Sequence, residues 1–391
     1  MIERKVYIIG AATTSFGEFF EKSASQLALE SFYKAIENAE VKRDQVDYIF
    51  IGSMIPNDNK TSLGAYCASQ CNIDSSFMHI HAGNASGAAA LHQAFLSVLS
   101  GQSECIAVVG VEKLSDYVKN GTIEKLLGGV IDYTWEYEMG ATLTSLYALL
   151  TKAHMKQYNT TLEQLATVPY KNHKNGTLNE NAQYRREIPL ERILSAKRIS
   201  GPIGRFDVST PCDGSTTLIL ASSSFLAKNE VNYKVPILAS TQGTDRLALF
   251  HRTSLTQLKS TTIAAEKAYK MAGISPKDIS LAEVHDAYPI GEILAIEDLK
   301  FFDKGLGGKA TEEGETQING KIAVNPSGGL KARGDPFGAT GIAQVFELFQ
   351  QMTQNAGKRQ VNEAEYGLAQ NVVGTGVQTF IHIIGRDEVK K

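Results

Sequence analysis

The sequence predicts an α/β protein built from two related halves, each a sheet covered by helices. Three observations carry this. Short apolar segments rich in β-branched residues alternate with longer amphipathic ones, the pattern of sheet and covering helix. The block Ala28-Leu29-Glu30-Ser31-Phe32-Tyr33-Lys34 returns as Ala264-Ala265-Glu266-Lys267-Ala268-Tyr269-Lys270. Ala85-Ser86-Gly87 returns as Ala339-Thr340-Gly341, each opening a helical pattern. Two echoes in the same order favour duplication over chance likeness of amphipathic helices.

The elements follow in order. Val6-Tyr7-Ile8-Ile9-Gly10 reads as a buried strand. Ala28, Phe32, Ala35, Ile36 and Ala39 line one face of a helix. Tyr48 to Gly52 is a second strand, Ser86 to Leu99 a second helix and Cys105 to Gly110 a third strand. Residues 116–200 are richer in Lys, Asn, Tyr and Glu, and read as a largely helical insertion in which Tyr170 to Gly176 is a polar loop. Strands resume at Thr216 to Ala221, Val235 to Ser240 and Ile279 to Val284. The expected division is 1–115 with 201–230 as the first half, 116–200 as the insertion and 231–391 as the second half.

Composition bounds the function. In 391 residues, 43% are hydrophobic and 21% charged, which excludes disordered and fibrous classes for most of the chain. A net charge of −3 gives no broad basic face for nucleic acid or an anionic membrane. No apolar run is long enough to span a bilayer. The start, Met1 to Lys5 followed by the short apolar Val6 to Ile9, does not read as a signal peptide. Cys67 and Cys71 have no second pair and no nearby histidine, so a structural zinc site is not expected. Four cysteines in a chain of this length suit a reducing compartment, and the expected location is cytoplasmic.

The second half holds the densest chemical signals. His285-Asp286-Ala287-Tyr288 lies just past a strand, where open α/β sheets place ligands. Asn325-Pro326-Ser327-Gly328-Gly329-Leu330-Lys331 and Gly334-Asp335-Pro336-Phe337-Gly338-Ala339-Thr340-Gly341 form a glycine-rich run leading into a helix N-terminus. It lacks the Gly-Lys-Ser/Thr ending of a phosphate-binding loop. Asn371-Val372-Val373-Gly374-Thr375-Gly376 reads as a turn near the C-terminus.

This ordered set resembles the thiolase superfamily, on the side of the sterol-carrier-protein type and the archaeal acetyl-CoA acetyltransferases. The resemblance runs from Val6 to Ile384 and includes Glu112-Lys113 and the Cys212-Asp213-Gly214 turn, where relatives have Ser-Asp-Gly. It implies two βαβαβαββ halves in five α-β-α-β-α layers, with a loop domain inserted in the first half. It also implies a coenzyme A thioester as substrate or ligand, with no permanently bound cofactor and no metal. Expected partners are a second copy of the chain, as a homodimer or dimer of dimers through the segment Asp74 to Gly83, and an OB-fold/zinc-ribbon protein.

The resemblance also locates departures. Where relatives carry the acyl-accepting cysteine, His81-Ala82-Gly83-Asn84-Ala85-Ser86-Gly87 has Asn84. The activating histidine is replaced by Asp335, and the proton-shuttling cysteine by Ala287. An amide forms no thioester, so the implied chemistry avoids an acyl-enzyme. His285 resembles the residue that polarises the thioester, and the backbone N–H groups of Asn84 and Gly374 resemble an oxyanion hole. Asn325 joins them in the expected pocket. Asn84 either lines that hole or caps its helix. Asp335 is either a base or a helix-opening carboxylate held by the dipole. Tyr288 either moves a proton, if its pKa is lowered, or packs as an aromatic. Three readings stay open: C–C cleavage or formation through an enolate, a non-catalytic acyl-CoA binder or scaffold subunit, and acyl transfer by an unrecognised thiol.

Overall fold

A computed structural model describes residues 4–58, 61–71, 75–117 and 122–386. Asp74, the first residue of the expected pairing segment, lies outside them. The first half supplies β1 (Val6–Thr13), β2 (Tyr48–Gly52), β3 (Ser76–Ile80), β4 (Cys105–Glu112) and β5 (Gly214–Ser222). The second supplies β6 (Val235–Thr244), β7 (Leu281–Glu283), β8 (Ala323–Val324), β9 (Tyr366–Val373) and β10 (Gln378–Gly385). The ten strands form one sheet in the order β8-β7-β9-β10-β6-β1-β5-β4-β2-β3.

Each half repeats the other five strands later. In the first, β2 runs parallel to β3 and β4, while β5 is antiparallel to β4 and β1. In the second, β7 runs parallel to β8 and β9, while β10 is antiparallel to β9 and β6. The halves join where β1 meets β6 through Tyr7 opposite Pro236 and Ile8 opposite Val235.

The longer helices are α1 (Ala24–Ala39), α2 (Ser86–Ser100), α3 (Leu143–Tyr158), α4 (Leu162–Gly176), α5 (Lys259–Ala272), α6 (Pro289–Asp298) and α7 (Thr340–Met352). α1 and α5 cover the outer faces of the two halves, while α2 and α7 touch strands of both halves and each other. The result is the five-layer thiolase-like fold that the sequence predicted. α1 starts on a capping box, in which Ser23 and Gln26 each satisfy the other's backbone N–H. Its buried stripe runs through Leu27, Phe32, Ala35, Ile36 and Ala39. The repeated Ala-Ser/Thr-Gly has a packing cause. A Cβ on Gly87 would come 2.1 Å from the Gly338 carbonyl oxygen, and one on Gly341 would come 2.6 Å from Ala88 Cβ. The two central helices therefore cross too closely for any side chain at these positions.

Between β4 and β5 the chain forms α3 and α4. The segment Tyr170 to Gly176, expected as a polar loop, is instead the last two turns of α4. Four of its polar residues, Lys171, Asn172, His173 and Asn175, are buried: Lys171 pairs with Glu292 at 2.9 Å, and Asn172 donates to Asp286 at 2.7 Å. The Asn371 to Gly376 segment is likewise not all turn; Asn371, Val372 and Val373 complete β9. Among the described residues no helix is long and apolar enough to cross a membrane.

Candidate functional site

The chemistry-bearing residues sit past the carboxyl ends of parallel strands. His285 follows β7, and Gly374 follows β9. Asn84 lies between β3 and α2, and Asp335 lies between β8 and α7, so the two stand on equivalent loops of the two halves, with Asp335 three residues earlier in register. Glu112, the last residue of β4, ties the loop that carries Asp335 to the turn after β2. Its buried carboxylate accepts from the N–H groups of Met54, Ile55 and Gly338 and from Ser53 Oγ, all between 2.8 and 3.0 Å. Burial raises its pKa to about 7.

Four of the six expected residues, Asn84, His285, Tyr288 and Asp335, line one cavity of about 160 Å³. Its walls also include Ile123, Leu127, Phe337 and the exposed Glu124, with Thr144, Ser209 and Ala287 beside the polar groups. A larger groove of about 630 Å³ lies elsewhere, lined by Lys277, Lys300, Phe302 and Leu306 among others. None of the expected residues reaches it, and two of its lysines pair with neighbouring acids, Lys309 with Glu313 and Lys321 with Glu315. It is a surface depression of mixed charge rather than a convergent site.

Asn325 is a correction. It is fully buried but does not line the cavity. Its Oδ1 accepts the Val284 N–H at 2.8 Å, and its Nδ2 donates to Glu292 at 2.7 Å. It braces the turn that carries His285. Of the two readings open for Asn84, the helix cap is absent. Asn84 does not bond to the start of α2; Nδ2 donates to the Val372 carbonyl at 2.8 Å, and Oδ1 accepts the Gly374 N–H at 3.0 Å. The Gly374 donor expected in the oxyanion hole is therefore already occupied, and Gly374 meets the cavity only through Asn84.

His285 is buried, and desolvation together with the nearby Arg333 charge lowers its pKa to about 3, so it is neutral. The Asn371 amide lies 3.2 Å from its Nδ1. With that amide donating, the ring proton sits on Nε2 as a free donor. Asp335 accepts from Ser209 Oγ at 3.0 Å and from Thr340 Oγ1 at 2.9 Å. Burial outweighs these bonds and raises its pKa to about 6, in the range that suits a general base.

The proton-moving reading of Tyr288 is conditional on a lowered pKa, and burial instead raises it above the usual phenol range. Its hydroxyl is 2.8 Å from Thr144 Oγ1, and its ring stacks on Tyr147 with centroids 4.3 Å apart. It stays protonated, so it is a donor and not a base.

Sequence reasoning missed Tyr147, Ser209 and Asn371. Tyr147 donates to the Gly374 carbonyl at 2.9 Å. These residues stand in ordinary-looking helix, loop and strand contexts, and only the fold brings them to the site. The four cysteines are all buried and unbridged. Burial raises Cys67, Cys71 and Cys105 to about 12 and Cys212 well above its usual value, and none lines the cavity.

Comparisons with known proteins agree with this architecture. Residues 6–199 match the thiolase N-terminal domain, and residues 241–386 match the thiolase C-terminal domain-like family. An acetyl-CoA acetyltransferase of Methanothermobacter thermautotrophicus is 39% identical over 98% of this chain and 100% of its own. Sterol carrier protein 2 of Homo sapiens is 30% identical over 98% of this chain and 73% of its own. Among solved structures, the Ltp2-ChsH2(DUF35) aldolase superposes with a TM-score of 0.86 at 20% identity, covering 98% of each chain. With both halves matched and a relative aligned from end to end, the chain belongs to the thiolase superfamily.

Proposed function

We propose that the protein makes or breaks a C–C bond next to a coenzyme A thioester by aldol or retro-aldol chemistry, without an acyl-enzyme. One observation carries this reading: the cavity is lined by a neutral histidine, a protonated tyrosine and the buried Asp335 carboxylate, with the exposed Glu124 beside them, and by no thiol. That set moves protons and stabilises an enolate, and where relatives carry the acyl-accepting cysteine it offers no thiol, since Asn84 is an amide bonded on both sides. The same burial disfavours acyl transfer by one of the four cysteines. The thioester enters through the family and through relatives such as the acetyl-CoA acetyltransferase.

In the cleavage direction the substrate is a 3-hydroxyacyl thioester. Asp335 takes the proton from the 3-hydroxyl, the C2–C3 bond breaks, and its electron pair moves into the thioester as an enolate. His285 Nε2–H holds the enolate oxygen. Tyr288 protonates C2, and the proton on Asp335 returns to Tyr288 as products leave. The products are a shortened acyl thioester and an aldehyde or ketone. The cavity has room for about five non-hydrogen atoms at the volume of liquid water, which suits a short acyl end.

A second reading, a non-catalytic acyl-CoA binder or scaffold subunit, is favoured by the same small volume and by the self-satisfied Asn84–Gly374 pair. A panel of 3-hydroxyacyl and acyl-CoA esters, followed by mass spectrometry for carbonyl and shortened-thioester products, separates the two. Products support the enzyme; saturable binding without products supports the binder.

Two partners belong to this proposal. A second copy would pair along β3, an edge strand with Phe77 and Met78 41% and 47% exposed. A monomer mass by light scattering at micromolar concentration would refute it. An OB-fold/zinc-ribbon protein is the other, and the name of the aldolase relative pairs Ltp2 with a DUF35 component.

A further inference from the structure

The side chain of Asn84 lines the cavity and stands between it and the turn after β9. Its amide reaches across to the end of β9 and the turn after it, with the oxygen on the Gly374 N–H and the nitrogen on the Val372 carbonyl. The turn cannot retreat. Gly374 has φ +55, and a Cβ there would meet the Val130 carbonyl oxygen at 2.2 Å. Tyr147 holds the Gly374 carbonyl, while Arg252 donates to Thr375 O at 2.6 Å and to Thr375 Oγ1 at 2.9 Å. Swinging Asn84 aside would leave its amide and the Val372 carbonyl buried without partners, which is unfavourable.

From this geometry we infer that Asn84 is a positioning residue: it withholds the Gly374 N–H from the ligand and so assigns the thioester carbonyl to His285 Nε2–H. This deepens the proposed function and rests on its thioester reading. The two halves contribute unequally to one task. The first supplies the amide that closes one donor, and the second supplies the imidazole that remains. A carbonyl oxygen bound in the cavity is then fixed on the His285 side, within reach of Tyr288 and Asp335.

The test uses acetyl-CoA carrying a ¹³C-labelled carbonyl, with free CoA as the reference ligand. The carbonyl stretch of the bound ester is read by difference infrared spectroscopy, and affinities are read by calorimetry. In the wild type the band lies below its position in water, and His285→Ala returns it to the unbound position. Asn84→Ala uncovers the Gly374 N–H, so the band falls further and the preference for acetyl-CoA over CoA rises about three- to tenfold, the worth of one hydrogen bond.

An Asn84→Ala protein that is folded by circular dichroism yet unchanged in band and preference overturns the inference. So does a wild-type complex with the ester oxygen about 3 Å from the Gly374 nitrogen. Should Asn84→Ala not fold, the His285→Ala spectrum decides, because a persisting shift means a second donor reaches the ester. Failure of acetyl-CoA to bind the wild type tells against the functional reading instead. In that case binding gained by Asn84→Ala upholds the withheld donor, and binding by neither protein overturns it.

Discussion

At the opening of α2, Asn84 sends its amide across to the other half and ends there, bonded to Val372 and Gly374. At the matching opening of α7, Asp335 keeps its carboxylate at the cavity, held by two hydroxyls, with a pKa raised to about 6. The fold supplies the same helix-entry loop twice, next to the same close glycine crossing, and Asp335 stands three residues earlier in its loop than Asn84 does in its own. One copy has become a neutral brace and the other a titratable group. A duplicated fold therefore fixes where chemistry is placed without fixing what it is, and the difference lies in which partners each side chain finds across the interface.

The largest way to break this contrast is Asp335→Asn. It removes the base and should lower any C–C cleavage by about 10³-fold, within the usual span for a lost general base, while thioester binding persists. Equal loss of binding and turnover would instead mark Asp335 as structural.

The next effect concerns stability. Asp335 has a folded pKa of about 6 against an ordinary value near 3.9, so the folded state holds the proton more tightly. Its contribution is present below about pH 4 and is lost as pH rises through about 6, on the order of 3 kcal/mol. Asp335→Asn should flatten that part of a denaturant-derived stability profile; an unchanged slope removes the argument from burial. Activity runs the other way, rising as the carboxylate ionises through about pH 6.

Tyr288→Phe comes third. It should reduce cleavage by about 10²-fold while keeping the stack on Tyr147, so its unfolding midpoint in urea should move little. A fall in stability without a fall in rate would return Tyr288 to a packing role. The smallest effect is that of Tyr147→Phe, which leaves the buried Gly374 carbonyl without its donor. A loss of about 1–3 kcal/mol in chemical denaturation is expected.

Most of the architecture was legible because it is written in apolar periodicity. β4 is buried at every position and reads as an apolar run from Cys105 to Val111, and the α1 and α5 echo marks the duplication directly. The end of α4 was not legible for the opposite reason. Lys171, Asn172, His173 and Asn175 are buried through polar partners, so their burial leaves no hydrophobic stripe, and Pro169 interrupts the helical signal. Site residues were readable where they stand in glycine-rich or strand-end motifs, as His285 and Asp335 do. Their orientations were not. Asn325 turned out to brace Val284, and Gly374 proved to be occupied, because a side chain's partner across 290 positions of sequence is a property of the tertiary fold. The raised pKa of Tyr288 depends on burial in the same way.

The central claim is C–C chemistry without an acyl-enzyme, and one measurement tests it most directly. The protein is incubated with a short 3-hydroxyacyl-CoA, and small-molecule products and the intact protein mass are followed in the same samples over time. The account predicts a shortened thioester and a carbonyl product in equal amounts, a protein mass that never rises, and a rate unaffected by prior cysteine alkylation. A protein that gains the mass of an acyl group during turnover, or loses its activity on alkylation, would contradict it.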